Sequence, residues 1–315
     1  MGSLLEVNKL VRKYGNLTAV DELSFDVQPG EAFGLLGPNG AGKSTTMMMI
    51  CGLLAADSGE VRLEGHLLER THPESRRRMG VVPQDLAIYP DLTARENLMF
   101  FGSLYHLSGQ QLRTKVQDVL ERVGLTGRAD DFAETFSGGM KRRLNFAAAV
   151  MHDPVLLILD EPTVGVDPQS RSHLIECIRS LQRSGTAIIY ASHYMEEVQV
   201  VCTRAAIIDH GRLLACDSIA TLLQQIPFEV ELRLGDSKVP VGISLGTSAR
   251  IEQDGDEAVV RFSMQNQSCE SAINKDVTNI LTTLEKHGIS VRSIRTQEPN
   301  LERLFLKLTG HGLRD

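Results

Sequence analysis

The stretch AFGLLGPNGAGKST, Ala32 to Thr45, restricts the fold more than any other part of the chain. Its first half, AFGLLG (32–37), is apolar at consecutive positions, which suits a strand covered on both faces, as in a parallel sheet between helices. Its second half, Gly37-Pro38-Asn39-Gly40-Ala41-Gly42-Lys43-Ser44-Thr45, fits the phosphate-loop pattern G-x-x-x-x-G-K-[ST]. Glycines let backbone N–H groups curl around phosphate oxygens, and a helix starting near Ser44 adds the positive end of its dipole. Lys43 is placed to reach the outer phosphates, and the Ser44 hydroxyl to ligand Mg2+.

Three more apolar runs end in small or polar residues: VLLILD (155–160), TAIIYASH (186–193) and RAAIID (204–209). Between them lie helical patterns, among them Leu112, Val116, Val119, Leu120 and Val123, closed by Gly124. Strands alternating with helices up to about residue 220 give an α/β domain. Two carboxylates stand where the strand VLLILD ends, the edge at which open α/β sheets place their ligands. Asp160 is suited to hold Mg2+ through water, and Glu161 to polarise an attacking water. A second anion site is foreshadowed in ETFSGGMKRRL (134–144), where Ser137 can cap a helix running to Val150 and Gly138-Gly139 leave its first N–H groups bare.

Beyond Ile226 the pattern changes. FEVELRL (228–234) alternates as a half-buried strand does, and ARIEQDGDEAVVRFSM (249–264) reads as two strands joined around Asp254-Gly255. A helix with Val277, Ile280, Leu281 and Leu284 on one face follows, ended by Gly288. Next come a strand ISVRSIRT (289–296) and a last helix opened by Pro299, with Leu301, Leu304, Phe305 and Leu308 on one face and Gly310 past its end. The expected organisation is a nucleotide-binding domain over residues 1–225 and an α+β domain over 226–315.

Composition removes other classes. Neither part is basic: 22 Lys+Arg face 27 Asp+Glu before residue 226, and 11 face 13 after it, which argues against a nucleic-acid partner. The five cysteines are widely spaced with no CxxC pair, so neither a disulfide framework nor a zinc site is expected, and a reduced cytoplasmic compartment fits. The longest apolar run, Met47 to Ala56, is far short of the roughly 20 residues that cross a bilayer, and no signal-peptide pattern is present at the N-terminus.

GPNGAGKST (37–45), VPQD (82–85), FSGGMKRR (136–143), LLILDEPT (156–163), VGVDP (164–168) and SHYMEE (192–197), in this order and spacing, resemble the ATP-binding subunit of ABC transporters over nearly all of residues 4 to 220. The resemblance implies a P-loop NTPase of the ABC type, a mixed sheet with a helical subdomain at about 86–152, followed by the small α+β domain. It further implies that Tyr14 stacks on adenine, that Gln84 contacts Mg2+ or the lytic water and couples to a membrane partner, and that His193 holds the γ-phosphate. Ser137, Gly138 and Gly139 would then close over ATP held by another subunit, and the loop with Asp167 would face that subunit. Phe136 and Met140 depart from the Leu and Gln usual at those positions, and this aromatic-SGGM wording, with the closing stretch EPNLERLFLKLTG (298–310), resembles the branch that powers ABC-2 type exporters.

The implied protein is an ATPase with ATP and Mg2+ as cofactors, a homodimer or a heterodimer with a second ABC ATPase, peripheral on the cytoplasmic face of the cell membrane. There it would drive a separate ABC-2 type permease. The rival reading is a soluble ABC ATPase acting on ribosomes or nucleic acid. Proteins of that kind usually pair two ATPase units in one chain or insert a long coiled coil, and neither feature is present in this sequence.

Overall fold

The computed structural model describes residues 2–68, 73–235, 249–254, 257–264 and 270–310. Contacts divide the chain into two compact units, the first ending at Ile219 and the second spanning Ala220–Gly310.

In chain order the first unit contains β1 (Leu5–Tyr14), β2 (Leu17–Val27), β3 (Ala32–Leu36), α1 (Lys43–Ile50), β4 (Ser58–Leu63), β5 (His66–Leu67), α2 (Pro73–Arg77) and β6 (Met79–Val82). It continues with α3 (Ala94–Leu104), α4 (Gly109–Arg122), α5 (Gly138–Ala149), β7 (Leu156–Asp160), α6 (Pro168–Arg183), β8 (Ala187–Ser192), α7 (Met195–Val201), β9 (Arg204–Asp209) and β10 (Arg212–Ser218).

The main sheet has the order β10-β9-β3-β8-β7-β6. All neighbours are parallel except β10, which returns antiparallel along β9, so the sheet is mixed. The apolar runs read as two-sided strands are buried throughout: every residue of β3 and β8 is inaccessible, as are the four apolar residues of β7. This order has one consequence for function. The carboxyl ends of β3, β8, β7 and β6 lie side by side, so the loops that follow them meet along a single edge.

A second sheet, β2-β1-β4-β5, was not visible in the sequence. The reason is two bulges. Leu5 and Val7 face inward, then Lys9 at φ 46° shifts the register so that Leu10 is the next inward residue, and on β2 Glu22 at φ 50° does the same between Val20 and Leu23. A one-residue insertion breaks the period-two alternation that identifies a strand.

The helical segment behaves as its periodicity requires. Leu112, Val116, Val119 and Leu120 of α4 are buried, and α3 begins with a capping box in which Thr93 accepts from the Glu96 N–H and the Glu96 carboxylate accepts from the Thr93 N–H.

The second unit contains α8 (Ile219–Gln224, all but its first residue), β11 (Phe228–Leu234), β12 (Ala249–Asp254), β13 (Glu257–Met264), α9 (Glu270–Lys286), β14 (Val291–Gln297) and α10 (Leu301–Thr309). Its antiparallel sheet has the order β12-β13-β11-β14, with Val230, Leu232, Leu234, Val260 and Phe262 in a core shared with Ile280 and Leu284 of α9. The β12–β13 turn expected around Asp254-Gly255 reaches outside the described residues. The last helix starts later than Pro299 suggested. Asn300 is its cap, accepting from the Arg303 N–H at 2.8 Å, because an Asn side chain can satisfy an exposed helix donor and proline cannot. Leu301, Leu304 and Phe305 are buried as expected, whereas Leu308 is 37% exposed.

Candidate active site

The loop between β3 and α1 is held so tightly that two of its glycines tolerate no side chain. A Cβ on Gly37 would approach the Ile208 carbonyl oxygen to 2.3 Å, and one on Gly42, at φ 103°, would approach that of Ala19 to 2.4 Å. Gly42 leads directly into α1, while Asn39, Gly40 and Ser44 are exposed on the open side of the loop. Lys43, 6% exposed as a residue, donates through its ammonium to the carbonyl oxygens of Gly37 at 2.7 Å and Pro38 at 3.0 Å. Burial lowers its pKa, and the charges of Glu161 and Asp160 pull it back up. A glycine cradle around a buried ammonium that bonds only to carbonyls fits a phosphate chain, which would offer that ammonium anionic oxygens instead.

Asp160 ends β7 across from this loop. Burial raises its carboxyl above the ordinary value, opposed by a hydrogen bond from the Ser44 hydroxyl, reinforced by the charge of Glu161 and opposed by Lys43. A hydroxyl and a carboxylate side by side suit a magnesium ion, which takes few protein ligands and completes its shell with water and substrate phosphate.

Glu161 follows in the left-handed conformation, φ 47°, with its N–H bonded to the Ala191 carbonyl at 2.9 Å. The residue is 6% exposed and its side chain is engaged on both oxygens: Gln84 Nε2 donates to Oε2 at 3.1 Å, and His193 Nδ1 lies 2.9 Å from Oε1. Strand order explains the convergence. Gln84 follows β6, Glu161 follows β7 and His193 follows β8, and β7 lies between the other two. Each carboxylate oxygen accepts up to two hydrogen bonds, so a carboxylate oriented this way retains capacity for a water molecule.

Two residues of this cluster were not foreseen. Arg142 of α5 donates to the Gln84 carbonyl oxygen, and the buried Asn145, one turn further along, accepts from the Ala87 N–H at 3.0 Å. Together they tie the loop after β6 to α5. The available signal was Asn145 itself, a polar residue among the apolar positions Leu144, Phe146 and Ala147.

Ser137, Gly138, Gly139 and Asp167 form a second cluster. Ser137 caps α5, accepting from the Met140 N–H at 3.3 Å, and both Ser137 and Gly138 are exposed. Gly139 is buried against the start of α6, where Asp167 caps by accepting from the Ser170 N–H at 2.9 Å. That bond and its neighbours hold the Asp167 carboxyl below its ordinary value. Tyr14 belongs to neither cluster: it ends β1 on the β1–β2 hairpin, 45% exposed, with the Arg12 guanidinium 5.1 Å from its ring centre.

A phosphate cradle and an oriented carboxylate on one edge of a parallel sheet define a P-loop nucleoside triphosphatase. Comparison with known proteins narrows this. The family described as ABC transporter matches residues 20–164. The linearmycin resistance ATP-binding protein LnrL of Bacillus subtilis is 44% identical over 312 residues, 99% of this chain and 100% of that protein. The Nod factor export ATP-binding protein I of Paraburkholderia xenovorans is 38% identical over 99% of this chain and 98% of its own. A solved ATP-binding subunit of an ABC transporter superposes with a TM-score of 0.65 at 30% identity, covering 71% of this chain and 93% of that one. The chain belongs to the ATP-binding, ATP-hydrolysing subunits of ABC transporters.

Proposed function

We propose that the chain powers an ABC-2 type exporter: two ATPase subunits close on ATP and Mg2+, and closure drives a separate membrane permease on the cytoplasmic face. The relatives named for linearmycin resistance and for Nod factor export support the export direction, since both likenesses span the whole chain, second unit included. Among the described residues no helix is long and apolar enough to cross a membrane, which agrees with a separate permease chain.

In this reading Lys43 and the Gly37–Gly42 loop hold the outer phosphates, Ser44, Asp160 and Gln84 hold Mg2+, and Tyr14 stacks on adenine. The ion would neutralise charge on the phosphates. Glu161 orients and polarises the attacking water on the side of its carboxylate left free by Gln84 and His193. His193 and Gln84 keep that carboxylate aimed, and His193 turns its other ring nitrogen towards the γ-phosphate. Ser137 and Gly138 present exposed donors at the start of α5 to the nucleotide of the opposite subunit, and the loop ending at Asp167 lines the contact.

The observation that carries the reading is the grip of Gln84 and His193 on the two oxygens of Glu161. Glu161→Gln tests it. A general base contributes about 100-fold or more, so hydrolysis drops by that factor while ATP binding persists and an ATP-dependent dimer accumulates, seen by size-exclusion chromatography with light scattering. Hydrolysis at the parent rate would remove Glu161 from the mechanism.

A further inference from the structure

One buried carboxylate plays no part in the steps above. Glu197, on α7, is 6% exposed, and such a group is retained at a cost unless donors surround it. Its Oε2 accepts from the Thr163 hydroxyl at 2.6 Å and from the Tyr190 hydroxyl at 2.7 Å, and Arg171 Nε lies 3.3 Å from Oε1.

Each partner belongs to a different piece of the site. Thr163 is fully buried two residues after Glu161, in a turn closed by Val164 N–H to the Glu161 carbonyl at 3.3 Å and Val166 N–H to the Thr163 carbonyl at 3.2 Å. Tyr190 sits in β8 three residues before His193, its hydroxyl pushed far above the ordinary pKa by burial and by the Glu197 charge. Arg171, on α6, lies 5.5 Å from the centre of the Tyr194 ring, which in turn rests 4.0 Å from the His193 ring. Glu161 itself occupies a backbone conformation that a non-glycine residue keeps only when its surroundings over-determine it.

We propose that Glu197 is a positioning residue for ATP hydrolysis: it ties the turn after Glu161 to the strand and loop that carry His193, so that these two side chains meet at 2.9 Å. The proposal rests on the reading of Glu161 and His193 as catalytic. A carboxylate is needed because one oxygen must accept two hydroxyl donors while the group stays anionic beside Arg171. An amide in its place can still accept both hydroxyls on its one oxygen, but it turns an NH2 donor towards the Arg171 guanidinium and removes the charge that holds Arg171 there.

The test uses the full chain. In Glu197→Gln, kcat falls about tenfold or more while KM and the Kd for a fluorescent ATP analogue stay within about twofold of the parent. Thr163→Val reproduces the loss, and Thr163→Ser, which restores the hydroxyl, recovers most of the rate. Thr163→Val combined with Glu197→Gln loses no more than the worse single variant, because both break one link. Parental kcat in Glu197→Gln or Thr163→Val overturns the proposal, as do ATP affinity falling in step with kcat and additive losses. Should Glu197→Gln fail to fold, the Thr163 pair decides: Thr163→Ser no better than Thr163→Val overturns the proposal. Glu161→Gln keeps the two ideas separate. Parental hydrolysis there refutes the catalytic reading, whereas a loss there with parental rates in the Glu197 and Thr163 variants refutes the positioning role alone.

Discussion

Gly138 and Gly139 read alike in the sequence, yet the structure gives them different tasks, and alanine separates the two. A Cβ on Gly139 would meet Ser170 Oγ at 2.3 Å, Ser170 Cβ at 2.6 Å and Asp167 Oδ2 at 3.0 Å, all at the start of α6. A Cβ on Gly138 would meet only the Gly165 carbonyl oxygen, at 3.7 Å, an ordinary contact. Overpacking costs about 1–3 kcal/mol, and contacts this short against an anchored residue belong near the upper end. Replacing glycine by alanine within a helix returns about 0.5–1 kcal/mol, leaving Gly139→Ala destabilised by about 2 kcal/mol. At about 2–4 °C per kcal/mol for a unit of this size, its melting temperature falls by about 4–8 °C. Gly138→Ala melts at or up to about 4 °C above the parent and loses hydrolysis, because a methyl group there crowds the exposed donors at the start of α5. Ser170→Gly removes the two closest atoms, so it restores most of the Gly139→Ala loss in the double variant. Differential scanning calorimetry with parallel ATPase assays reads all four proteins. Equal melting of the two alanine variants, or no rescue by Ser170→Gly, refutes the assignment of Gly139 to packing.

Asp160 carries a pH prediction. Its folded pKa lies above the ordinary 3.8, so the native state keeps a proton that the unfolded chain has released, and stability falls as pH rises from 3.8 through the folded value. Asp160→Asn therefore melts above the parent without nucleotide at about pH 7, and the gap narrows towards about pH 4; a variant no more stable than the parent at neutral pH contradicts this. Ser137→Arg and Lys43→Ala, each inactive alone, regain one composite site when mixed, read as ATPase activity of the mixture; no activity at any ratio tells against the action of Ser137 on a partner's nucleotide. Affinity capture from gently solubilised membranes brings down a multi-spanning protein, identified by mass spectrometry, and recovery of ribosomes instead favours the soluble alternative.

Much of the site was legible because its motifs sit at strand ends. Gly37–Thr45, Asp160, Glu161 and His193 each follow an apolar run whose burial needs no long-range information, and the parallel sheet then places such ends on one edge. The second sheet was hidden because the bulges at Lys9 and Glu22 disguise its period. Local chemistry also misplaced the last helix start, where Asn300 caps in place of the proline before it.

By itself the sequence determined that β3, β7, β8 and β9 are buried, where the glycine-rich loop lies and which carboxylates end β7, since these follow from local pattern and side-chain chemistry. Tertiary structure decided who holds Glu161. Gln84, Arg142, the turn from Glu161 to Thr163 and the segment from His193 to Glu197 are far apart along the chain and are assembled only by the order β8-β7-β6 and the helices packed on it. A hydrogen bond depends on distances of a few tenths of an ångström between groups whose sequence separation carries no trace of them.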